Sequence, residues 1–259
     1  MESSPVVSVI MPAYNAERFI KQAINSVQAQ TFEDWELIVV DDCSTDGTVS
    51  VAEGLAHGDN RISVVRNGHN LGVSRTRNRG IDLSDGEFVA LLDSDDYWDP
   101  RKLDKQLKLI RKEQADIAYC SYEIVDEQGS KKANDFIVPA IATYAGTLVK
   151  SVMSCSTVLI RRSSLGSRRF SSEVCHEDLV LWLDLLKSGC KAVGDEEVLA
   201  AYRVVSGSRT SNKLKSAVHR WDLFRRYLHL PLDTCIVLIV RYGWFAVRKY
   251  LPARGGGSS

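Results

Sequence analysis

The sequence predicts an α/β protein with a mostly parallel sheet and helices on both faces, followed by a helical extension at the C-terminus. Short runs rich in Val and Ile alternate with segments of helical spacing up to about residue 124. Acidic or polar residues follow directly after several of these runs, as expected where parallel strands end at one edge of a sheet. A basic and largely apolar segment follows residue 205.

The elements of the first half follow from these patterns. We expect strands at 6–11, 37–40, 62–65, 87–92 and 116–124. We expect helices between them at 16–29, 47–55, 72–83 and 100–112. Strands separated by helices of this length favour right-handed crossovers, and therefore a parallel sheet.

The second half is less regular. We expect a polar hairpin or loop at 127–133, strands at 156–161 and 198–204, helices at 177–187 and 208–226, and an apolar stretch at 232–251. The predicted organisation is a main α/β domain of residues 1–205, a basic, amphipathic helical extension of 206–254 and a flexible, linker-like tail of 255–259.

Composition excludes several classes of protein. The 259 residues carry no net charge, so we expect no nucleic-acid partner. The residues from 201 onward hold 11 Lys and Arg against 2 Asp and Glu, which suggests that this part meets phosphate groups or an anionic membrane surface. The six cysteines form no CxxC pair, as expected of free thiols in a reducing cytoplasm. We expect neither a signal peptide nor a spanning helix.

An apolar run at 88–92 ends in three acids within four residues: Asp93, Asp95 and Asp96. Carboxylates this close repel one another unless a cation neutralises them, and oxygen ligands suit magnesium or manganese. The alternative is an acidic turn before a helix that begins near Asp99 and Pro100. The segment by itself leaves both readings open.

Four predicted strand ends meet at one edge of the sheet and would form a crevice for a nucleotide and its metal. They carry residues 12–15, 41–42, 66–67 and 93–96. No glycine follows the first strand, which argues against a dinucleotide-binding dehydrogenase. A sugar nucleotidyltransferase would carry a glycine-rich basic loop at the same place, and that loop is also absent.

Five ordered motifs resemble those of family 2 glycosyltransferases. They are VSVIMPAYN (7–15), VVDDCSTDGT (39–48), NLG (70–72), RN (77–78) and LDSDD (92–96). The resemblance is strong over residues 5–110 and looser to about 225. It implies a GT-A fold, a nucleotide-sugar donor, a divalent cation (manganese or magnesium) and inversion at the anomeric carbon.

The resemblance also implies roles for residues at the donor site. Asp93 would bind the ribose and help to hold the metal, Asp95 would ligate the metal, and Asp96 would assist through its water shell. Asp41 or Asp42 would accept from the uracil or guanine ring. The other donor-site residues would be Pro12, Tyr14 (packing on the base), Asn15, Arg77, Asn78 and Ser94.

An acidic pair at the start of the helix at 177–187 resembles the family's general base. A carboxylate near a helix N-terminus is held in place and stays ionised. Asp178 is the predicted base and Glu177 the alternative, although acids are also common in the first turn of any helix. Arg209 and Lys213 would close over the diphosphate as a mobile lid, unless that loop is merely solvated.

These features predict an inverting enzyme that adds a single sugar, most readily from a UDP-hexose. Processive synthases carry Gln-x-x-Arg-Trp and several spanning helices, whereas this chain keeps only Arg220-Trp221. The predicted acceptor is a lipid-linked glycan of bacterial O-antigen, capsule or exopolysaccharide synthesis. The predicted location is the cytoplasm, in peripheral contact with the inner membrane. The alternatives are a non-catalytic nucleotide-sugar-binding module or a sugar nucleotidyltransferase, and the C-terminal helix could instead pack its apolar face on the catalytic domain or on a second subunit.

Overall fold

The computed structural model describes residues 4–205 and 213–248. The strands in this part of the chain are β1 (Val7–Ala13), β2 (Trp35–Asp41), β3 (Ile62–Arg66), β4 (Phe88–Leu91), β5 (Tyr97–Trp98), β6 (Ile117–Val125), β7 (Lys131–Phe136), β8 (Ile141–Ala142), β9 (Val158–Arg161) and β10 (Ala192–Arg203). The helices are α1 (Ile20–Gln28), α2 (Thr48–Ala56), α3 (Val73–Leu83), α4 (Lys102–Glu113), α5 (Tyr144–Val149), α6 (Arg162–Leu165), α7 (Glu177–Lys187), α8 (Lys213–Asp222) and α9 (Leu232–Arg248). A 3₁₀ turn at Cys155–Thr157 leads into β9, and a π-helical turn at Leu223–Tyr227 follows α8.

All these strands belong to one sheet. Its order is β3-β2-β1-β4-β9-β6-β10-β5, with β7 added to β6 and β8 to β10. The first four strands run parallel, and β10 runs parallel to β6. β9 is antiparallel to both of its neighbours, and the short strands β5, β7 and β8 also pair antiparallel. The predicted α/β class with a mostly parallel central sheet is confirmed.

Helices cover both faces of the sheet, as predicted. On one face, α1 and α4 pack against the sheet through residues such as Ile24 and Leu107. On the other face, α3 and α7 do so through Ile81 and Trp182. The sheet is therefore buried on both faces. β1, β2 and β4 run parallel, so their carboxyl ends lie on the same side of the sheet.

The helices after residue 213 pack onto this body through a third core. Phe224 and Cys235 are fully buried in it, against Leu179 and Leu183 of α7 and Leu148 of α5. One side of α9 is thus a packing surface for the α/β domain. In the described part of the chain, no helix is both long and apolar enough to cross a membrane.

Most predicted elements lie where the patterns placed them, and α7 has the predicted bounds. β10 begins at Ala192 rather than at 198, because residues 192–195 already pair with β6 ahead of the acidic residues at 195–197. β5 is a two-residue strand that pairs with β10, and no pattern in the sequence predicted it. The predicted tail at 255–259 lies outside the described residues.

Candidate active site

Several of the predicted donor-site residues lie at the ends of β1, β2 and β3. Ala13 is aligned with Asp41, and Asp41 with Arg66, so the residues that follow these strands share one edge. Tyr14 comes next after β1 and is half exposed. Asn15 has a φ of 49°, and its side-chain oxygen accepts a hydrogen bond from the Thr45 amide at 2.9 Å. Pro12 is buried within β1, opposite Val40.

The two acids at the end of β2, Asp41 and Asp42, have different hydrogen-bond partners. Asp42 is buried and accepts from the amides of Leu71 and Gly72 at 2.8 Å and from Asn67 Nδ2 at 2.7 Å. Burial by itself raises the pKa of Asp42, but these hydrogen bonds outweigh it, and the net pKa is lowered. Gly72 adopts a φ of 81°, which favours glycine and directs its amide at the carboxylate. Asp42 therefore fixes the loop that opens α3.

Asp41 is buried and forms an ion pair with Arg66. Its carboxylate accepts from the Ser44 amide at 3.1 Å and lies 3.3 Å from Nε of Arg66. Arg66 is about half exposed. Both acids that the sequence left open for the nucleoside base are buried, and Asp41 is the one that pairs with a half-exposed arginine.

The acidic turn after β4 is tight, because the Asp96 amide donates to the Asp93 carbonyl at 3.0 Å. Asp93, Ser94 and Asp95 are half-buried in it. Burial and the neighbouring Asp93 raise the pKa of Asp95 to about 6. No ion pair reaches Asp95 from the residues that the structure describes. Asp95 is therefore a crowded carboxylate without an ion pair in the described part of the chain.

Asp96, for which the resemblance implied a role in a metal's water shell, is bound inside the protein. It is only 2% exposed. Its Oδ2 accepts from Ser156 Oγ at 2.5 Å, and its Oδ1 accepts from the Arg203 amide at 2.8 Å. Burial, together with Asp95 and Asp93, raises its pKa. Asp96 is an internal anchor of the turn.

Arg77 connects the acidic turn to the start of α7. Its Nη2 lies 2.6 Å from Asp93 Oδ1, and its Nη1 lies 3.1 Å from Glu177 Oε1. The guanidinium is almost fully buried and lies 5.3 Å from the centre of the Phe170 ring. Burial alone lowers the pKa of Arg77, but Asp93 and Glu177 outweigh it and the net pKa is raised. Its charge is thus permanent and shared by two carboxylates.

Asn78, a predicted donor-site residue, binds the backbone of Phe170 in this structure. Its Nδ2 donates to the Phe170 carbonyl at 2.9 Å, and its Oδ1 accepts from the Phe170 amide at 2.8 Å. Both polar atoms of the side chain are therefore engaged with one backbone segment. Asn78 thereby holds Phe170, whose ring lies beside the Arg77 guanidinium.

The two acids that open α7 differ in their burial and in their partners. Glu177 is 4% exposed and bound to Arg77. Asp178 is half-buried and accepts from the Leu179 amide at 2.7 Å. Burial and the neighbouring Glu177 raise the pKa of Asp178. A basic, partly accessible carboxylate at a helix N-terminus has the properties of a general base.

Sequence reasoning missed two residues of this site. Ser156 and Arg203 both contact the acidic turn, from the 3₁₀ turn before β9 and from the end of β10. Neither lies near the turn in sequence, so no local pattern could reveal them. Arg209 lies outside the described residues, and so does the side chain of Lys213.

The turn fits a divalent cation only in part. Asp93 and Asp95 offer hard oxygen ligands, as magnesium and manganese prefer. Among the described residues, no group of three or more His, Cys, Asp or Glu side chains could hold a metal ion. An ion at Asp95 would therefore complete its coordination with oxygen atoms from a substrate and from water.

Comparisons with known proteins agree on one family. The model of glycosyl transferase family 2 matches residues 8–167. TuaG of Bacillus subtilis, a glycosyltransferase assigned provisionally to teichuronic acid biosynthesis, is 37% identical over 95% of this chain and 98% of its own. The UDP-Glc:α-D-GlcNAc-diphosphoundecaprenol β-1,3-glucosyltransferase WfgD of Escherichia coli is 34% identical over 95% of both chains.

Two solved structures share the fold. TarS of S. aureus, in complex with UDP-GlcNAc, aligns with a TM-score of 0.73 at 22% identity and covers 91% of this chain and 71% of its own. The mannosyltransferase PcManGT of Pyrobaculum calidifontis, in complex with GDP-Man and Mn²⁺, aligns with a TM-score of 0.70 at 20% identity, over 93% of this chain and 70% of its own. At these identities the likeness concerns the fold alone.

Proposed function

This chain belongs to glycosyl transferase family 2 and is a glycosyltransferase, and we propose that it moves a single hexose from a UDP donor to a lipid-linked glycan with inversion at the anomeric carbon. The observation that carries the proposal is the arrangement around Arg77. This residue joins the acidic turn, where a nucleoside diphosphate would lie, to the acidic pair that opens α7. The guanidinium of Arg77 would therefore lie between the proposed donor-binding residues and the proposed general base.

On the donor side, Tyr14 presents an open ring for the base, and the buried Asp41 lies against the half-exposed Arg66 at the neighbouring strand ends. Asp93 and Asp95 would hold a manganese or magnesium ion together with the diphosphate. When bound, that ion stabilises the negative charge that develops on the departing UDP. Arg77 keeps Asp93 in place, and Asn78 supports Arg77 indirectly by holding Phe170. Arg209 and Lys213 remain the proposed lid.

On the acceptor side, Asp178 is the proposed general base. It would take the proton from the attacking hydroxyl while that oxygen bonds to the anomeric carbon. The bond from the anomeric carbon to the diphosphate oxygen breaks with its electron pair on the oxygen, and UDP leaves. Glu177 is bound to Arg77, and its role would be to raise the basicity of Asp178 and to hold the helix start in place.

The choice of substrates rests on the relatives. WfgD is named for a UDP-Glc donor and a GlcNAc-diphosphoundecaprenol acceptor, and TarS was solved with UDP-GlcNAc. These names support a UDP-hexose donor and an undecaprenol-linked acceptor for this chain. They also support a role in bacterial surface polysaccharide synthesis, in which TuaG is placed provisionally.

An acceptor that stays in the bilayer suggests that the enzyme works at the cytoplasmic face of the inner membrane. The outer side of α9 supports such a contact. Leu232, Ile236 and Val240, spaced four residues apart, are each about half exposed or more. Arg225 and Arg226 are exposed just before this helix, and Arg241 is exposed on it. An apolar strip beside basic residues is complementary to an anionic lipid surface.

The proposal is tested by assaying transfer from a panel of UDP- and GDP-sugars to a diphosphoundecaprenol-linked GlcNAc acceptor in the presence of Mn²⁺. We expect a UDP-hexose to be used and UDP to be released in equal amount to the glycosylated product. Binding of UDP without transfer or hydrolysis would instead indicate a binding module. Release of pyrophosphate from a nucleoside triphosphate and a sugar phosphate would indicate a nucleotidyltransferase.

A further inference from the structure

Ser156 is a buried residue that touches the acidic turn at two points. It lies in the 3₁₀ turn at Cys155–Thr157 and is 2% exposed. Its hydroxyl accepts from the Asp93 amide at 3.1 Å and donates to Asp96 Oδ2 at 2.5 Å. One hydroxyl thus spans both ends of the four-residue turn.

The surroundings hold this serine and the turn together. Trp98, two residues after the turn, donates from Nε1 to the Ser156 carbonyl at 2.6 Å. The Arg203 amide binds Asp96 Oδ1 at 2.8 Å, and Arg203 Nε donates to the Asp95 carbonyl at 2.7 Å. The turn is therefore fastened by two distant segments of the chain, one before β9 and one at the end of β10.

This fastening matters because the turn carries three carboxylates that repel one another. Asp93 is balanced by Arg77, and Asp96 is bound internally. No ion pair from the described residues fixes Asp95. The direction of its carboxylate is consequently set by the backbone of the turn, which Ser156 and Arg203 hold.

We infer that Ser156 is a positioning residue, whose hydroxyl holds the acidic turn in the conformation in which Asp93 and Asp95 together bind the divalent cation of the donor complex. The inference rests on the proposed function, because that function supplies the cation and the nucleotide. Ser156 itself does not touch the cation. Groups that orient metal ligands typically contribute 10- to 100-fold to metal affinity or activity.

The test compares Ser156→Ala with the unaltered enzyme. Binding of Mn²⁺ in the presence of UDP is followed by the electron paramagnetic resonance signal of the free ion, and transfer is titrated with Mn²⁺ in parallel. We expect the half-saturating Mn²⁺ concentration to rise by about 10-fold or more in both measurements. Excess Mn²⁺ should restore most of the turnover, because the catalytic groups are intact.

Ser121→Ala is the matched control. Ser121 is also fully buried, and its hydroxyl likewise accepts one hydrogen bond, from the Val138 amide at 3.1 Å, and donates one, to the Asp195 carbonyl at 3.3 Å. Removing either hydroxyl should lower the unfolding temperature by a similar amount. Only Ser156→Ala should change the Mn²⁺ requirement.

Asp96→Asn tests the same contact from its other end and serves if Ser156→Ala does not fold. Asparagine keeps one oxygen for the Arg203 amide and turns an N–H towards Ser156 Oγ, so the hydroxyl must accept where it had donated. We expect a similar rise in the half-saturating Mn²⁺ concentration. The double variant should be little worse than either single one, because both alter one shared contact.

Two results would overturn the inference while leaving the proposed function standing. One is a Ser156→Ala enzyme that binds Mn²⁺ as tightly as Ser121→Ala does. The other is a loss of turnover in Ser156→Ala that excess Mn²⁺ does not restore. If the unaltered enzyme binds UDP but needs no divalent ion, the metal part of the proposed function fails instead, and the first titration shows it.

Discussion

Asp93 and Glu177, which belong to opposite sides of the candidate active site, are held by a single guanidinium, at 2.6 Å and 3.1 Å from two nitrogens of Arg77. Arg77 and Glu177 are each less than a tenth exposed. A buried arginine between two carboxylates needs both of them, and they need it, because each unpaired charge would be costly in the interior. These two contacts of Arg77 hold the acidic turn at a set distance from the start of α7.

We therefore predict that Arg77→Met destabilises the fold strongly. Two carboxylates would lose their common cation, and the expected loss is about 3–5 kcal/mol in the free energy of unfolding. Arg77→Lys should be milder for stability but should still lower transfer, because one ammonium does not reproduce the two separate contacts that the planar guanidinium makes with Asp93 and Glu177. Urea unfolding measures the first effect, and Arg75→Met, at an exposed position on the same helix, is the control, with a change of about 0.5 kcal/mol or less.

The second prediction concerns the general base. Asp178→Asn keeps the shape of the side chain but removes the proton acceptor, so turnover should fall by about 10²-fold or more with UDP affinity little changed. Glu177→Gln should weaken the contact with Arg77 and lower turnover less. If Glu177→Gln abolishes transfer while Asp178→Asn remains active, the base is Glu177.

Asp178→Asn should also change the stability of the fold, in a way that depends on pH. The folded-state pKa of Asp178 lies above its usual value, so ionised Asp178 is unfavourable in the folded protein. That cost is absent below the unfolded pKa and is present in full once the pH exceeds the folded pKa. Asp178→Asn should therefore raise the unfolding temperature at pH 7 and have little effect near pH 3.

The third prediction is a pH profile. Since Asp178 must be ionised to accept a proton, kcat/KM should fall on the acid side as the pH drops through a pKa above that of an ordinary aspartate. Glu177 is one cause of the raised pKa, so the acid limb should move to lower pH in Glu177→Gln. Asp82→Asn, at an exposed acid on α3, should leave the limb in place. An acid limb that does not move would remove Glu177 as the cause.

How far the sequence alone leads can be seen in particular residues. α7 was predicted with its bounds because the acids of its first turn and the spacing of its leucines are local signals. In the sequence, only the family resemblance favoured Asp178 over Glu177 as the base, whereas in the structure the contact of Arg77 with Glu177 distinguishes the two acids. The sequence could not reveal that Asp96 is bound by Ser156 and Arg203, because both residues lie far along the chain. Long-range contacts of this kind leave no periodic pattern.

The fourth prediction concerns the metal. Asp95 has no ion pair among the described residues, and its neighbours raise its pKa to about 6, so a cation should bind there once UDP is present. Asp95→Ala should abolish Mn²⁺-dependent transfer while the unfolding temperature falls little. Asp85→Ala, at an exposed acid just before β4, should retain activity. Near-normal turnover of Asp95→Ala in Mn²⁺ would refute the assignment of this residue as a ligand.

The last prediction concerns the outer side of α9. Removing the whole helix would not be informative, because Cys235 and Leu238 on its inner side belong to the third core and their loss would expose that core. Ile236→Gln with Val240→Gln removes exposed apolar surface and leaves the charge unchanged. We expect the unaltered chain to float with anionic vesicles at low salt and less at high salt, and the double variant to float poorly.

A matched control uses Leu83→Gln with Ile141→Gln, since Leu83 and Ile141 are 48% and 60% exposed on other parts of the surface, against 49% and 65% for Ile236 and Val240. This variant should float as the unaltered chain does. If the α9 variant and the control float equally well, the membrane contact lies elsewhere. If the unaltered chain stays in the soluble fraction but forms a dimer that the α9 variant dissociates, a second copy covers this helix instead. In that case the basic residues around it need another explanation, because a two-fold contact would bring like charges together.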